Sequence, residues 1–307
     1  MQWTKGEKKA FSSRCVPMAT NTTSKVRMAL LLVSLLAAYG NEVKKEGAEK
    51  RAQLFIVFGT QRSGTTYLSR LASNIDGILL YHEIFLKKKK QPHHIPSELW
   101  SKRMHDPSAF LDGIVDIATR DGLHAVGTVV QNWQLNKTAL KQHIFTRKDI
   151  KYAITIRNNA FDIFMSSEKA RIAHEYEDMH STNFLDAYKE IKSKPMKLSA
   201  DRFLRAVANW RVWYHYVITE LMKRQIHPLI IPYETLNLGK DMEMLYGYLL
   251  HNHLGLKNNF RFVGEKGTVK RESGCPGKTI RNMEKFASEV SRSSKEVDLN
   301  PIPYCLA

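Results

Sequence analysis

The stretch QLFIVF at residues 53–58, followed by Gly59–Thr66 (GTQRSGTT) and a helical run, constrains this chain more than any other segment. Five apolar residues in a row, without polar alternation, must be covered on both faces, so Gln53–Phe58 reads as a buried strand of a parallel sheet. Gly59–Ser63 reads as a loop. Gly64–Ser73 reads as a helix that turns Tyr67, Leu68, Leu71 and Ala72 inward. Two glycines separated by four residues let such a loop wrap an oxyanion, and the helix N-terminus supplies free N–H groups and a partial positive charge. A Walker A loop shares the glycine spacing but continues Gly-Lys-[Ser/Thr]. Here Thr65 stands where that lysine would be and Arg62 is the loop's only cation, so ATP or GTP phosphoryl transfer lacks a main phosphate contact. The plain alternative is a tight strand-to-helix turn.

The same alternation continues downstream. Ile78–Tyr81, His124–Gln131, Tyr152–Ile156 and Leu229–Ile231 are further short apolar runs. Helices are expected over Asn159–His174 and Phe203–Met222, and around Met242–Leu250. In the second of these, Phe203, Val207, Trp210, Tyr214, Val217 and Leu221 recur at three- and four-residue steps. Strands alternating with helices predict an α/β fold: a P-loop-like parallel sheet flanked by helices on both faces. The chain divides into a leader over 1–50 and one domain over 51–307. Ligands of such sheets bind beyond the carboxyl ends of the strands. That rule selects the residues after Phe58, Tyr81, Ile156 and Ile231, namely GTQRSGTT, HEIF, RNN and PYE. The polar, glycine-containing stretch 264–279 reads as a long functional loop.

Charge narrows the ligand. Lys+Arg 47 against Asp+Glu 30 gives a net charge of +17 over 307 residues, on a composition that is otherwise ordinary for a globular protein. Disorder and fibrous repeats are excluded, and an anionic partner is implied: nucleic acid, acidic lipid, a polyanion or a phosphorylated cofactor. Nine basic and four acidic residues fall in 1–50, so +12 belongs to the remainder and a basic tail alone does not explain the excess. Lys87–Lys90, with His93 and His94, is the densest run. It lacks the interleaved aromatics of a base-stacking surface, which argues against nucleic acid. Cys15, Cys275 and Cys305 build no disulfide scaffold and have no zinc spacing, with Cys275 and Cys305 the pair to join in an oxidising compartment.

The motif QRSGTTYLSRL resembles the 5′-phosphosulfate loop of sulfotransferases that use 3′-phosphoadenosine 5′-phosphosulfate (PAPS). It is nearer their carbohydrate and nodulation-factor branches than the cytosolic one. The resemblance runs from about Gln53 to Phe286. It implies that Arg62 neutralises the bridging oxygen as the sulfuryl group leaves, and that Ser63, Gly64, Thr65 and Thr66 hold the 5′-phosphosulfate. YAITIRNNAFDIFMSS resembles the family's second motif, which implies that Arg157 and Ser166 grip the 3′-phosphate, with Ser167 an equally available hydroxyl. A guanidinium fork suits a phosphate, although a surface acid would also pair with Arg157. Glu83-Ile84-Phe85 resembles a Glu-x-Phe after the second strand, which implies Glu83 as the base toward the acceptor, with His82 the alternative. Tyr233 in PYETL would lie against the adenine, and Lys270 and Arg271 would cap the 3′-phosphate. Two departures stand out. Thr128 replaces a lysine common in relatives, and the late loop lacks the Arg-Lys-Gly of cytosolic enzymes.

The expected function is therefore sulfuryl transfer from PAPS to a hydroxyl or amine acceptor, an acidic or carbohydrate one being expected, without a metal. Alternatives are a P-loop phosphotransferase or kinase, and a non-enzymatic polyanion-binding protein. The apolar run Met28–Tyr39 spans roughly 18 Å as a helix, short of a ~30 Å bilayer core. Its basic flank suits a signal peptide or short signal-anchor, which would place the protein in the secretory pathway or at the Golgi membrane. A helix packed on a cytoplasmic domain is the alternative. The sequons at Asn21 and Asn136 matter only for a lumenal chain.

Overall fold

The structure, a computed structural model, describes residues 51–87, 89–180, 196–236, 240–256, 259–262 and 282–293. The leader with its apolar run, the Asn21 sequon, all three cysteines, Lys88, and the 264–279 loop with Lys270 and Arg271 lie outside the described residues.

Five strands, β1 (Gln53–Gly59), β2 (Ile78–Tyr81), β3 (Ala125–Gln131), β4 (Lys151–Ile156) and β5 (Leu229–Pro232), form one sheet in the order β2-β3-β1-β4-β5. Every pairing is parallel. The expected strands fall where the apolar runs place them, shifted by at most one residue at an end. β1 is central and, like β3 beside it, is buried on both faces. Leu54, Ile56 and Phe58 enter one apolar core, and Phe55 and Val57 enter another.

Helices cover both faces. The first core is closed by α3 (Pro107–Arg120) and α6 (Ala200–Met222), which contribute Phe110, Ile114, Trp213 and Val217. The second is closed by α1 (Thr65–Ser73) and α8 (Lys240–His253), through Leu68, Leu71, Tyr246 and Leu250. A third core joins α5 (Ala160–His180), α6 and α9 (Met283–Ser293) around Phe164, Phe203 and Phe286. Among the described residues no helix is long and apolar enough to cross a membrane.

Several helices have no counterpart in the sequence reading: α2 (Ser97–Lys102), α3, α4 (Lys137–Ala139, continuing as a π-helix over Leu140–Phe145), α7 (Tyr233–Leu236) and α9. For α3 the signals are present. Asp106 accepts the Ala109 N–H at 3.0 Å, Pro107 takes the first helical position, and Phe110, Leu111, Ile114, Val115 and Ala118 form one apolar stripe.

The sheet opens where β1 and β4 end. Their register runs to Phe58 opposite Ile154, and beyond it α6 supplies partners that the sheet does not. Trp213 Nε1–H donates to Gly59 O at 2.9 Å and Tyr214 Oη–H to Thr155 O at 2.8 Å. Buried carbonyls need such partners, so two aromatic side chains of one helix hold the strand ends apart. The chain continues to opposite sides from β1 and β4, which makes this the switch point at which open α/β sheets bind ligands.

Candidate active site

The chain leaves β1 through a glycine for steric reasons. A Cβ at Gly59 would fall 2.5 Å from Thr155 Oγ1 and 2.7 Å from Thr65 Cγ2. The loop then closes on Ser63, which is fully buried. Its hydroxyl donates to Thr60 O at 2.8 Å, accepts the Thr60 N–H at 3.2 Å and lies 3.1 Å from Thr155 Oγ1. The Ser63 side chain is thus occupied inside the loop, and it is the loop's backbone that turns outward. Arg62 (φ 64°) and Gly64 (φ 96°) flank it in the left-handed region, an alternation that points successive N–H groups into a concavity. Gly64 caps α1 without a side chain, leaving the first-turn N–H groups free of any side-chain acceptor.

Gly64, Thr65, Thr66 and Tyr67 line a cleft of about 560 Å³, within the ~300–1,000 Å³ of small-ligand sites. Arg62, Arg70 and Arg171 also line it, against Glu83 as the one carboxylate of the lining. Neither Arg62 nor Arg70 has a carboxylate partner among the described residues, whereas Arg171 shares the buried Glu168 with Arg202. The cleft therefore carries a surplus of positive charge. From α5, Ser167, Ala170, Arg171 and His174 face it, one turn after another. Ser166 is not in the lining, so helix geometry separates two hydroxyls that the sequence left equivalent.

Arg157 lies behind this wall. It is 6% exposed, bonds Asp162 Oδ2 at 2.9 Å and Arg62 O at 3.4 Å, and stacks its guanidinium 4.8 Å from the centre of the Tyr233 ring. Tyr233 is buried between Arg157 and Gly64, with Tyr67 edge-on at 6.2 Å. One face of its ring is thereby covered by Arg157. Glu234 Oε1 accepts the N–H groups of Asn158 (2.8 Å) and Asn159 (3.2 Å), while Asn159 Oδ1 caps α5 by accepting the Asp162 N–H at 3.1 Å. The segments after β1, β4 and β5 thus meet as one bonded unit.

The opposite wall comes from the ends of β2 and β3. His82 Nε2 lies 3.1 Å from Thr66 Oγ1 and 3.6 Å from Glu83 Oε1, joining the two walls. Burial pushes the His82 imidazole below its ordinary range, with Glu83 opposing and Lys89 adding to the fall, so the ring is neutral near pH 7. Glu83 sits at φ 54°, strained for a residue with a side chain. Its Oε1 accepts from Gln131 Nε2 at 2.8 Å. Lys87 and Lys90 are exposed beyond this wall, Lys89 is half-buried, and Arg103 fixes the backbone by donating to Lys87 O at 2.8 Å.

The structure brings Arg62, Ser63, Gly64, Thr65, Thr66, His82, Glu83 and Tyr233 to one place, with Arg157 directly behind. The sequence reading omitted Gln131, Arg70 and Arg171. Gln131 ends β3, the one strand whose carboxyl end that reading did not inspect. Arg70 and Arg171 lie one helical turn after Thr66 and Ser167, so the motif serine and threonine carried the signal for them. Among the described residues no group of three His, Cys, Asp or Glu side chains could hold a metal ion. No protein-family model matches the chain, and no curated protein matches it significantly.

Proposed function

We propose that this chain is a PAPS-dependent sulfotransferase of the carbohydrate or nodulation-factor type, built on a P-loop-like form of the parallel sheet. One observation carries the reading: an uncapped helix N-terminus and a single carboxylate face each other across a cationic cleft at the sheet's switch point. PAPS supplies an activated sulfuryl group; its S–O bond to the bridging oxygen breaks as the acceptor oxygen bonds to sulfur.

The lining fits an anion with two charged ends. At one end the N–H groups of α1 and the Arg62 guanidinium, which has no competing carboxylate among the described residues, offset charge on the departing phosphate. At the other, Ser167, Arg171 and Arg70 receive the 3′-phosphate, and Arg157 reaches it by exchanging Asp162. Glu83 takes the acceptor's proton. His82, held neutral, orients Thr66. Lys87, Lys89 and Lys90 beyond Glu83 favour an acidic acceptor.

Calorimetry with adenosine 3′,5′-bisphosphate (PAP) and with AMP tests the donor side. PAP binding at least about tenfold tighter than AMP is expected, because the 3′-phosphate adds charge-assisted bonds. Magnesium-dependent ATP binding without PAP binding would instead favour the phosphotransferase, and polyanion binding that survives Arg62→Ala would favour the non-enzymatic reading. Glu83→Gln should lower turnover of labelled PAPS by about 10²–10⁴-fold with PAP affinity retained; unchanged turnover removes Glu83 as the base.

A further inference from the structure

Resting on that functional reading, we infer that Gln131 is the positioning residue for the Glu83 carboxylate: it pins Oε1 and leaves Oε2 to take the acceptor's proton. Gln131 ends β3 opposite Gly59 and is 1% exposed. The turn beyond it is locked in both directions. The Gln134 N–H donates to Gln131 O at 3.2 Å, and the Gln131 N–H donates to Gln134 Oε1 at 3.2 Å. Glu83, in contrast, belongs to a strained turn that keeps its shape only while neighbours hold it.

Only Gln131 makes a hydrogen bond to the Glu83 carboxylate among the described residues. Gln131 Nε2 lies 2.8 Å and His82 Nε2 3.6 Å from Glu83 Oε1, whereas no bond to Oε2 is made among the described residues. A carboxylate only accepts, so the amide must turn its NH₂ toward Glu83. The consequence is a buried Gln131 Oε1 without a partner among the described residues, and Gln134 Nε2 is buried and likewise unpaired among them beside the same turn. Buried amides seldom stay half-satisfied, because the lost bonds are costly and an apolar residue would fill the space without them. What the glutamine supplies that an apolar residue cannot is a neutral donor that orients the carboxylate without adding charge to the cleft.

The first test needs no turnover. The Gln131 side-chain amide resonances, identified by their loss in Gln131→Met, should follow a carboxylate titration and cease to follow it in Glu83→Gln. A flat amide response across that titration overturns the inference. The second test uses kinetics. Gln131→Met should lower kcat about 10–100-fold with acceptor KM and PAP affinity unchanged, the effect of a supporting residue outside direct contact. Gln131→Glu should move the acid limb of turnover upward by about one pH unit or more, since two carboxylates in contact share a proton. Wild-type kcat and an unmoved limb in both variants overturn the inference. Absence of sulfuryl transfer by the unaltered protein, with the amide titration intact, removes the functional reading and leaves the Gln131–Glu83 coupling standing.

Discussion

The two walls of the cleft are built on opposite principles. In the wall after β1, the loop's own interior polar groups are satisfied before any ligand arrives: Ser63 is saturated by Thr60 and Thr155, and the Gly59 and Thr155 carbonyls by Trp213 and Tyr214, although Glu234 Oε2 beside them is buried without a partner among the described residues. That wall leaves open the N–H groups of α1 and two arginines without carboxylate partners among the described residues. The wall after β2 and β3 is incompletely satisfied, with a strained Glu83, a neutral His82 and unpaired amide atoms on Gln131 and Gln134. A rigid wall suits a ligand whose charge is fixed. A wall of partly satisfied groups suits a step in which a proton changes place.

The contrast breaks most visibly at Gly64. A Cβ there would sit 2.3 Å from Tyr233 Cδ2, at a φ of 96°. Gly64→Val should reduce PAP affinity by at least about 100-fold and cost roughly 2–4 kcal/mol of stability, read by calorimetry and thermal melting. Retained affinity would mean that the first wall yields, and the distinction between the walls would fall.

pH separates the second wall from the scaffold beneath it. His253 donates to Tyr152 O at 2.8 Å, and burial pushes its imidazole down to about 4. The unfolded chain takes up this proton near pH 6.5 and the folded one only near 4, so stability should fall by roughly 3 kcal/mol as pH drops through that window. His253→Gln should flatten the dependence in pH-resolved melts. His82 contributes with the same sign, its stabilisation present above its ordinary range and lost as pH falls, and His82→Gln should remove that share and alter turnover as well. A His253 variant that changed the pH profile of turnover would show the cleft and scaffold titrating together.

The smallest effect separates neighbouring hydroxyls. Ser167→Ala should weaken PAP binding about 3–10-fold, near 1 kcal/mol, without weakening AMP binding, and Ser166→Ala should change neither. The reverse result would move the 3′-phosphate away from the wall that Arg171 shares.

Much of the scaffold was legible because apolar runs have few alternatives. A continuous run such as QLFIVF must be a two-sided strand, and strands separated by helices must be parallel. The site was legible where local chemistry is self-contained: Gly59 and Gly64 are required by the loop they form, and Glu83 and Arg157 stand at strand ends. α3 was missed although its cap and stripe were present. Gln131 carried no local signal, because a glutamine closing an apolar strand means nothing until the carboxylate facing it is known.

The sequence by itself determined the α/β class, the strand positions, the glycine-flanked strand-to-helix loop and the excess of positive charge, since each follows from residue types close together along the chain. Tertiary structure alone decided the partnerships. It assigned Arg157 to Asp162 and Tyr233, put Ser167 and not Ser166 in the cleft lining by helix phase, and set Gln131 against Glu83 through the β2–β3 pairing. Hydrogen bonds and ion pairs depend on distances of a few ångströms between segments that can lie 154 residues apart, as in the bond from Trp213 to Gly59, and only the packed sheet fixes those distances.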